Sequence, residues 1–253
     1  MTHTEDNRGY ETSGITQDNI DDLLRDFAKE FKKQNGSKTP AEIIIVGGAS
    51  IVSNYGFRNA TQDIDVIARG SSAIKDTILK ISDSHNLPPD WMNSDFIRTS
   101  SYSDKIIEFS EHYRTYYGGL LEIRTIKNEY LIAMKMMSGR MYKHDFSDIV
   151  GILLESKEHG HPIAFPAIEK AITDLYGDAE KIKPATMEKV REYATMGVSD
   201  LKALYENSAK DETRISHSLL SMDKKYIGLI NQDTVEDIVS EIQAKMNKDD
   251  FTH

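Results

Sequence analysis

The 253-residue sequence contains no cysteine. Disulfides, cysteine-held zinc and thiol nucleophiles are therefore excluded, and the absence fits a reducing, cytoplasmic setting. Long apolar runs are also missing. The best of them, such as residues 42–46, is far too short to cross a bilayer. The first fifteen residues are polar, carry both signs of charge and have no apolar centre, which argues against a signal peptide. A basic excess is absent too: the formal net charge is -10. A protein that coats DNA through its phosphates would be basic, so broad DNA binding is disfavoured and only a local basic patch could meet nucleic acid. Several catalytic patterns are missing. There is no G-x-x-x-x-G-K-[ST] phosphate loop and no H-E-x-x-H, and Ser50 does not sit in a G-x-S-x-G elbow.

What is present is enough apolar residue, 39%, to build a core. Residues 1–15 read as a tail. Ile20, Leu23, Leu24, Phe27 and Phe31 recur at helical spacing and predict a helix over 16–34, stopped by Asn35-Gly36. The β-branched run 42–46 reads as a buried strand broken by Gly47-Gly48, with a short helix over 50–55 and a second strand over 62–68. Ser71 or Ser72 could cap the next helix, whose inner face carries Ile74, Ile78 and Ile81. After an irregular stretch, 87–103, two β-like runs follow at 105–109 and 120–126. From there the pattern is helical: 130–137, 146–154, 166–176, 186–205, 213–230 and 233–246. The expected fold class is α+β, a mixed sheet flanked by helices over 16–126 and an all-helical region over 127–253.

The segment that carries chemistry is Val46-Gly47-Gly48-Ala49-Ser50 followed by Asp63-Ile64-Asp65-Val66. Glycines let backbone approach a ligand, and a helix start offers free N–H groups to a phosphate. Side chains alternate along a strand, so Asp63 and Asp65 share a face. Two carboxylates on one face suit Mg²⁺ or Mn²⁺, which bind oxygen ligands and complete their shell with substrate phosphates. A third carboxylate on a neighbouring strand would admit a second metal. Glu122 is the candidate and Glu108 its competitor. Asp-x-Asp or Gly-Gly alone signifies little, being common on solvated strands and in turns. Their ordered combination is far more specific.

At these residues the sequence resembles the nucleotidyltransferase superfamily that includes polymerase beta. Arg58-x-x-Thr61-x-Asp63-Ile-Asp65, with Leu87-Pro-Pro-Asp-Trp91-Met-Asn93 and Leu131-Ile-Ala-Met-Lys135, looks like a narrower branch. That branch is the uncharacterised bacterial nucleotidyltransferase-like domains related to the AbiEii abortive-infection toxins. The resemblance spans roughly 42–154. It implies a mixed-sheet fold, a divalent metal and transfer of a nucleoside monophosphate from an NTP to a hydroxyl acceptor: RNA, protein or small molecule. An antitoxin-like partner follows from the toxin kinship. One departure is visible, because many members carry Gly-Ser where this chain has Gly47-Gly48.

In this reading Asp63, Asp65 and Glu122 bind metal, Gly47, Gly48 and Ser50 cradle phosphates, and Lys135 offsets developing charge. Arg58 could grip a phosphate or fix its own loop. Thr61 lies in the same loop. Lys135 stands in a helix apolar on nearly every side and needs a partner: phosphate, the metal carboxylates, Asp145 or Asp148, or solvent reached by snorkelling. Asp145 reads as a helix cap, with Asp148 favouring the helix dipole, and Asp145 also as a companion of Lys135 at the nucleotide. Arg140, Lys143 and His144 form either a nucleotide or RNA patch or a solvated loop. Trp91, the only tryptophan, reads as packing rather than base stacking. The alternative to an enzyme is the same fold kept as a binding or regulatory module.

Overall fold

The computed structural model describes residues 14–36, 39–140, 142–226, 230 and 234–250. Most of the tail expected over 1–15 therefore lies outside the described residues, as do parts of the helical expectations over 213–230 and 233–246. The chain divides into two compact units. One comprises residues 1–94 and 111–125, and the other residues 95–110 and 126–253. The segment 95–110, expected with the first region, thus belongs to the second unit.

The first unit holds the sheet. Strand β1 (Ile15–Thr16) pairs with β3 (Ala60–Thr61) as a small separate ladder. The main sheet has five strands: β2 (Ala41–Ile45), β4 (Ile64–Arg69), β5 (Met92–Asn93), β6 (Ser110–Tyr116) and β7 (Leu121–Ile126). Their order is β5-β4-β2-β7-β6. The sheet is mixed, because β2 runs antiparallel to β4 and parallel to β7, while β4 and β5 are parallel. β2 stands at the centre because its Ile43, Ile44 and Ile45 are wholly buried, as a strand covered on both faces requires.

Three helices belong to this unit: α1 (Ile20–Asn35), α2 (Gly47–Asn54) and α3 (Ala73–His85). The 3.6-residue stripe of α1 buries Leu24, Phe27 and Phe31 against Ile43, Ile45, Ile64, Val66, Leu121 and Ile123, one face of the sheet. Each such side chain contributes roughly 1.5–3 kcal/mol when removed from water. Trp91 is buried in this core. It donates Nε1–H to the Ile78 carbonyl at 3.0 Å and meets Phe27 edge to face at 6.4 Å. Its role is packing. Alternation then puts Glu42, Ile44, Asp65, Ile67, Glu122 and Arg124 on the other face.

The second unit is helical: α4 (Asn128–Ser138), α5 (Asp145–Glu158), α6 (Phe165–Tyr176), α7 (Pro184–Thr195), α8 (Val198–Lys225) and α9 (Val235–Asp250). Two expectations need correction. The run 105–109 is not a strand. Asp104–Ile107 forms a 3₁₀ turn, started by Ser103, whose hydroxyl accepts from the Lys105 N–H. The strand is instead β6, a polar sheet-edge segment with no apolar alternation to announce it. The helix expected over 186–205 ends at Thr195, and α8 then runs unbroken from Val198 for 28 residues. Among the described residues no helix is long and apolar enough to cross a membrane.

Candidate active site

The site grows from the end of β2. Beyond Ile45 the chain passes Val46 in extended backbone and enters α2 at Gly47, whose φ is +64°. A residue with a Cβ adopts that angle only at a cost, so glycine is favoured here. Space demands it as well: a Cβ on Gly47 would lie 2.9 Å from Asp65 Oδ2. Asp65 is brought there by the ladder, in which the Val46 N–H donates to the Asp65 carbonyl at 2.9 Å. Gly48 is enclosed on its own side. A Cβ there would stand 2.9 Å from both Arg58 Nη2 and Thr61 Oγ1. The glycine pair is thus lined by a carboxylate on one side and by a guanidinium and a hydroxyl on the other.

Arg58 is held in place by its own loop, its Nε donating to the Ala60 carbonyl at 3.1 Å. Thr61 is buried on β3. Asp63 stands one residue before β4, half-buried, and its Oδ2 accepts from Asn93 Nδ2 at 3.0 Å. Gly47, Gly48, Arg58, Thr61 and Asp65 therefore meet where β2 ends and β4 begins, and Asp63 stands two residues before Asp65, held by Asn93. Ser50 does not join them by its hydroxyl. It is fully buried, and Asn54 Nδ2 lies 3.4 Å from its Oγ and 2.9 Å from its carbonyl. Ser50, expected to help cradle phosphate, therefore has its hydroxyl turned inward beside Asn54.

Glu122 is not brought to the aspartates. Its register partner on β2 is Glu42, whereas Asp65 stands opposite Val46, four residues farther along the same strand. At about 3.3 Å per residue that is roughly 13 Å. Glu122 shares the face but occupies the other end of the sheet, where it accepts from Thr115 Oγ1 at 3.0 Å. Glu108, the competing candidate, caps the 3₁₀ turn in the second unit. Among the described residues no three His, Asp or Glu side chains form a ready metal cage. Asp65 at the glycine turn and Asp63 just before β4 are carboxylates of the kind that Mg²⁺ or Mn²⁺ takes together with phosphate oxygens.

In the second unit Lys135 has taken internal partners. It is 6% exposed, and its Nζ lies 3.0 Å from Asp145 Oδ1 and 2.7 Å from Asp148 Oδ2. Asp145 Oδ2 also accepts from the Arg140 backbone N–H at 3.0 Å and from Arg140 Nε at 3.1 Å. Burial pulls the Asp145 carboxyl upward, but Lys135 and Arg140 outweigh it and hold the carboxyl below its ordinary range. Lys135 and Asp145, expected at the nucleotide, are thus engaged in a buried ion cluster. Asp145 is also not the helix cap. His144 occupies that position at φ +62° without a side-chain cap bond, and the capping oxygens come from α8. Glu212 is 1% exposed, and its carboxylate accepts from the N–H groups of Phe146 at 2.9 Å and Ser147 at 3.3 Å. His144 Nδ1 lies 3.6 Å from Glu212 Oε2. Two members of the basic run 140–144 therefore serve this cluster, and Lys143 stays exposed.

A family model described as "Nucleotidyltransferase of unknown function (DUF6036)" matches residues 22–194. That is well over half of the chain. The chain belongs to this nucleotidyltransferase family. No curated protein matches it, and no solved structure does.

The match to the nucleotidyltransferase family runs from α1 to the end of α7 and so includes the glycine turn, both aspartates and the Lys135 cluster. Glu212, which caps α5, lies beyond it. Sequence reasoning missed two residues. Asn93 carried a signal, since it stands in the string 87–93. Glu212 carried none, because a lone acid in a polar helix is ordinarily solvated.

Proposed function

We propose that the protein is an enzyme that transfers a nucleoside monophosphate from an NTP to a hydroxyl acceptor, with Mg²⁺ or Mn²⁺ held by Asp63 and Asp65. The observation that carries this is the glycine turn. Asp65 Oδ2 stands 2.9 Å from where a Gly47 side chain would begin, and Arg58 and Thr61 stand equally close at Gly48. A bare backbone flanked by acid on one side and by cation and hydroxyl on the other suits a metal–triphosphate.

In this reading the metal, when bound, offsets phosphate charge and polarises the phosphorus. The N–H groups at the start of α2 and the Arg58 guanidinium hold phosphate oxygens, and Thr61 adds a hydroxyl donor. Rate enhancement then comes mainly from positioning and from fixed charge aimed at the phosphates. Glu122 is left out of the metal site, and Lys135, Asp145 and Asp148 act by building the helical unit. The acceptor class, whether RNA, protein or small molecule, and a role as a toxin restrained by a partner protein belong to the same proposal.

The test is metal-dependent stabilisation. Mg²⁺ with NTP should raise the melting temperature of the wild type, because a ligand specific to the native state must stabilise it. Asp63→Ala and Asp65→Ala should each remove that rise while keeping the unliganded melting curve. An undiminished rise in both variants would overturn the site.

A further inference from the structure

We infer that Asn93 is a positioning residue that fixes the metal-binding orientation of Asp63. The inference rests on the two-aspartate reading above and adds to it a residue that acts through Asp63. Asp63 lies just outside β4, so the strand ladder alone does not fix its side chain. β5 does. The Ile64 N–H donates to the Trp91 carbonyl at 2.7 Å, and Asn93 stands opposite Asp65 in the parallel register. From there Asn93 Nδ2 reaches Asp63 Oδ2 at 3.0 Å and the Asp90 carbonyl at 3.1 Å.

Both bonds are donated by the amide nitrogen. A flipped amide would turn its oxygen toward two acceptors, so the nitrogen is locked toward Asp63. The bond fixes where Asp63 Oδ2 points. It also confines a side chain that would otherwise lose rotamer freedom when metal binds. Partners of this kind, once removed, typically weaken metal affinity by about 10–100-fold.

A role limited to the 90–93 turn is the competing account, because Asn93 also holds the Asp90 carbonyl. Ser94 supplies the control. Its hydroxyl ties β5 to the Val66 carbonyl at 2.7 Å and has no bond to either aspartate. The experiment is titration of the full chain with Mn²⁺, read by paramagnetic resonance, with melting curves on the same samples. Asn93→Ala should weaken Mn²⁺ binding by about 10–100-fold, while Ser94→Ala leaves it within about twofold. Asn93→Leu keeps the size without the donor, and it should weaken Mn²⁺ by a similar factor. Wild-type Mn²⁺ affinity in both Asn93 variants, or equal weakening in Ser94→Ala, would overturn the inference. Asp63→Ala separates the two levels. If Mn²⁺ binding survives it, the metal site fails and the inference with it. If binding is lost there but unchanged in the Asn93 variants, the inference alone fails.

Discussion

Replacing Lys135 by methionine removes a charge and little else. Methionine has similar length and good helix propensity, so α4 should persist. The ammonium, however, stands between Asp145 at 3.0 Å and Asp148 at 2.7 Å in a region closed to water. Asp145 keeps its two bonds from Arg140, but both carboxylates lose the lysine charge that offsets their burial. Removing one partner of a buried pair costs about 3–5 kcal/mol. For a chain of this size that predicts a fall in melting temperature of roughly 6–20 °C. The pH dependence follows from Asp145, whose carboxyl is held below its ordinary range. A depressed carboxyl stabilises the fold above its unfolded pKa of about 4 and loses that contribution as pH falls through the folded value. Lys135→Met removes part of that contribution. The gap to wild type should therefore be widest at neutral pH and narrow in acid. Adding Asp148→Asn should recover part of the loss. Melting curves by circular dichroism across pH test this. A Lys135→Met protein as stable as wild type at neutral pH, or a gap that widens in acid, would refute the reasoning.

Three other variants probe other parts of the account. Gly47→Ala forces a Cβ to φ +64° and to within 2.9 Å of Asp65 Oδ2. It should cost about 1–2 kcal/mol in stability and also weaken Mn²⁺ binding, measured by chemical denaturation and by Mn²⁺ titration. Glu122→Gln should leave Mn²⁺ affinity within about twofold, because the register sets it roughly 13 Å along the sheet from Asp65; a larger loss in the same titration would restore it as a ligand. Glu212→Ala strands the N–H groups of Phe146 and Ser147 at the buried start of α5, and should lower stability by roughly 1–3 kcal/mol in urea unfolding.

How far the sequence foretold this structure depends on where the information lay. α1 was legible because Leu23, Leu24, Phe27 and Phe31 repeat at helical spacing and all face the core. The strand–glycine–helix–strand order was legible because β-branched runs and Gly-Gly are local signals. Strand register is not local, and Glu122 shows the consequence. Its alternation correctly predicts the face it shares with Asp65, but only the pairing of β2 with β7 says how far along that face it stands. β6 was invisible because an edge strand with a wet face carries no apolar alternation. Lys135 was legible as a buried lysine in need of a partner. Which partner it took was decided by the approach of α5, which no spacing in α4 encodes. The burial of the Ser50 side chain was likewise not legible, since the rotation of α2 sets it.

The central claim is that Asp63 and Asp65 serve transfer of a nucleoside monophosphate. The most direct measurement is intact-mass spectrometry of candidate acceptors, RNA and protein including the chain itself, after incubation with each NTP and Mg²⁺. The account predicts a mass gain of one nucleoside monophosphate with the wild type, and none with Asp65→Ala or with chelator present. A gain of the same size with Asp65→Ala, or none for any NTP with the wild type across the acceptor panel, would contradict it.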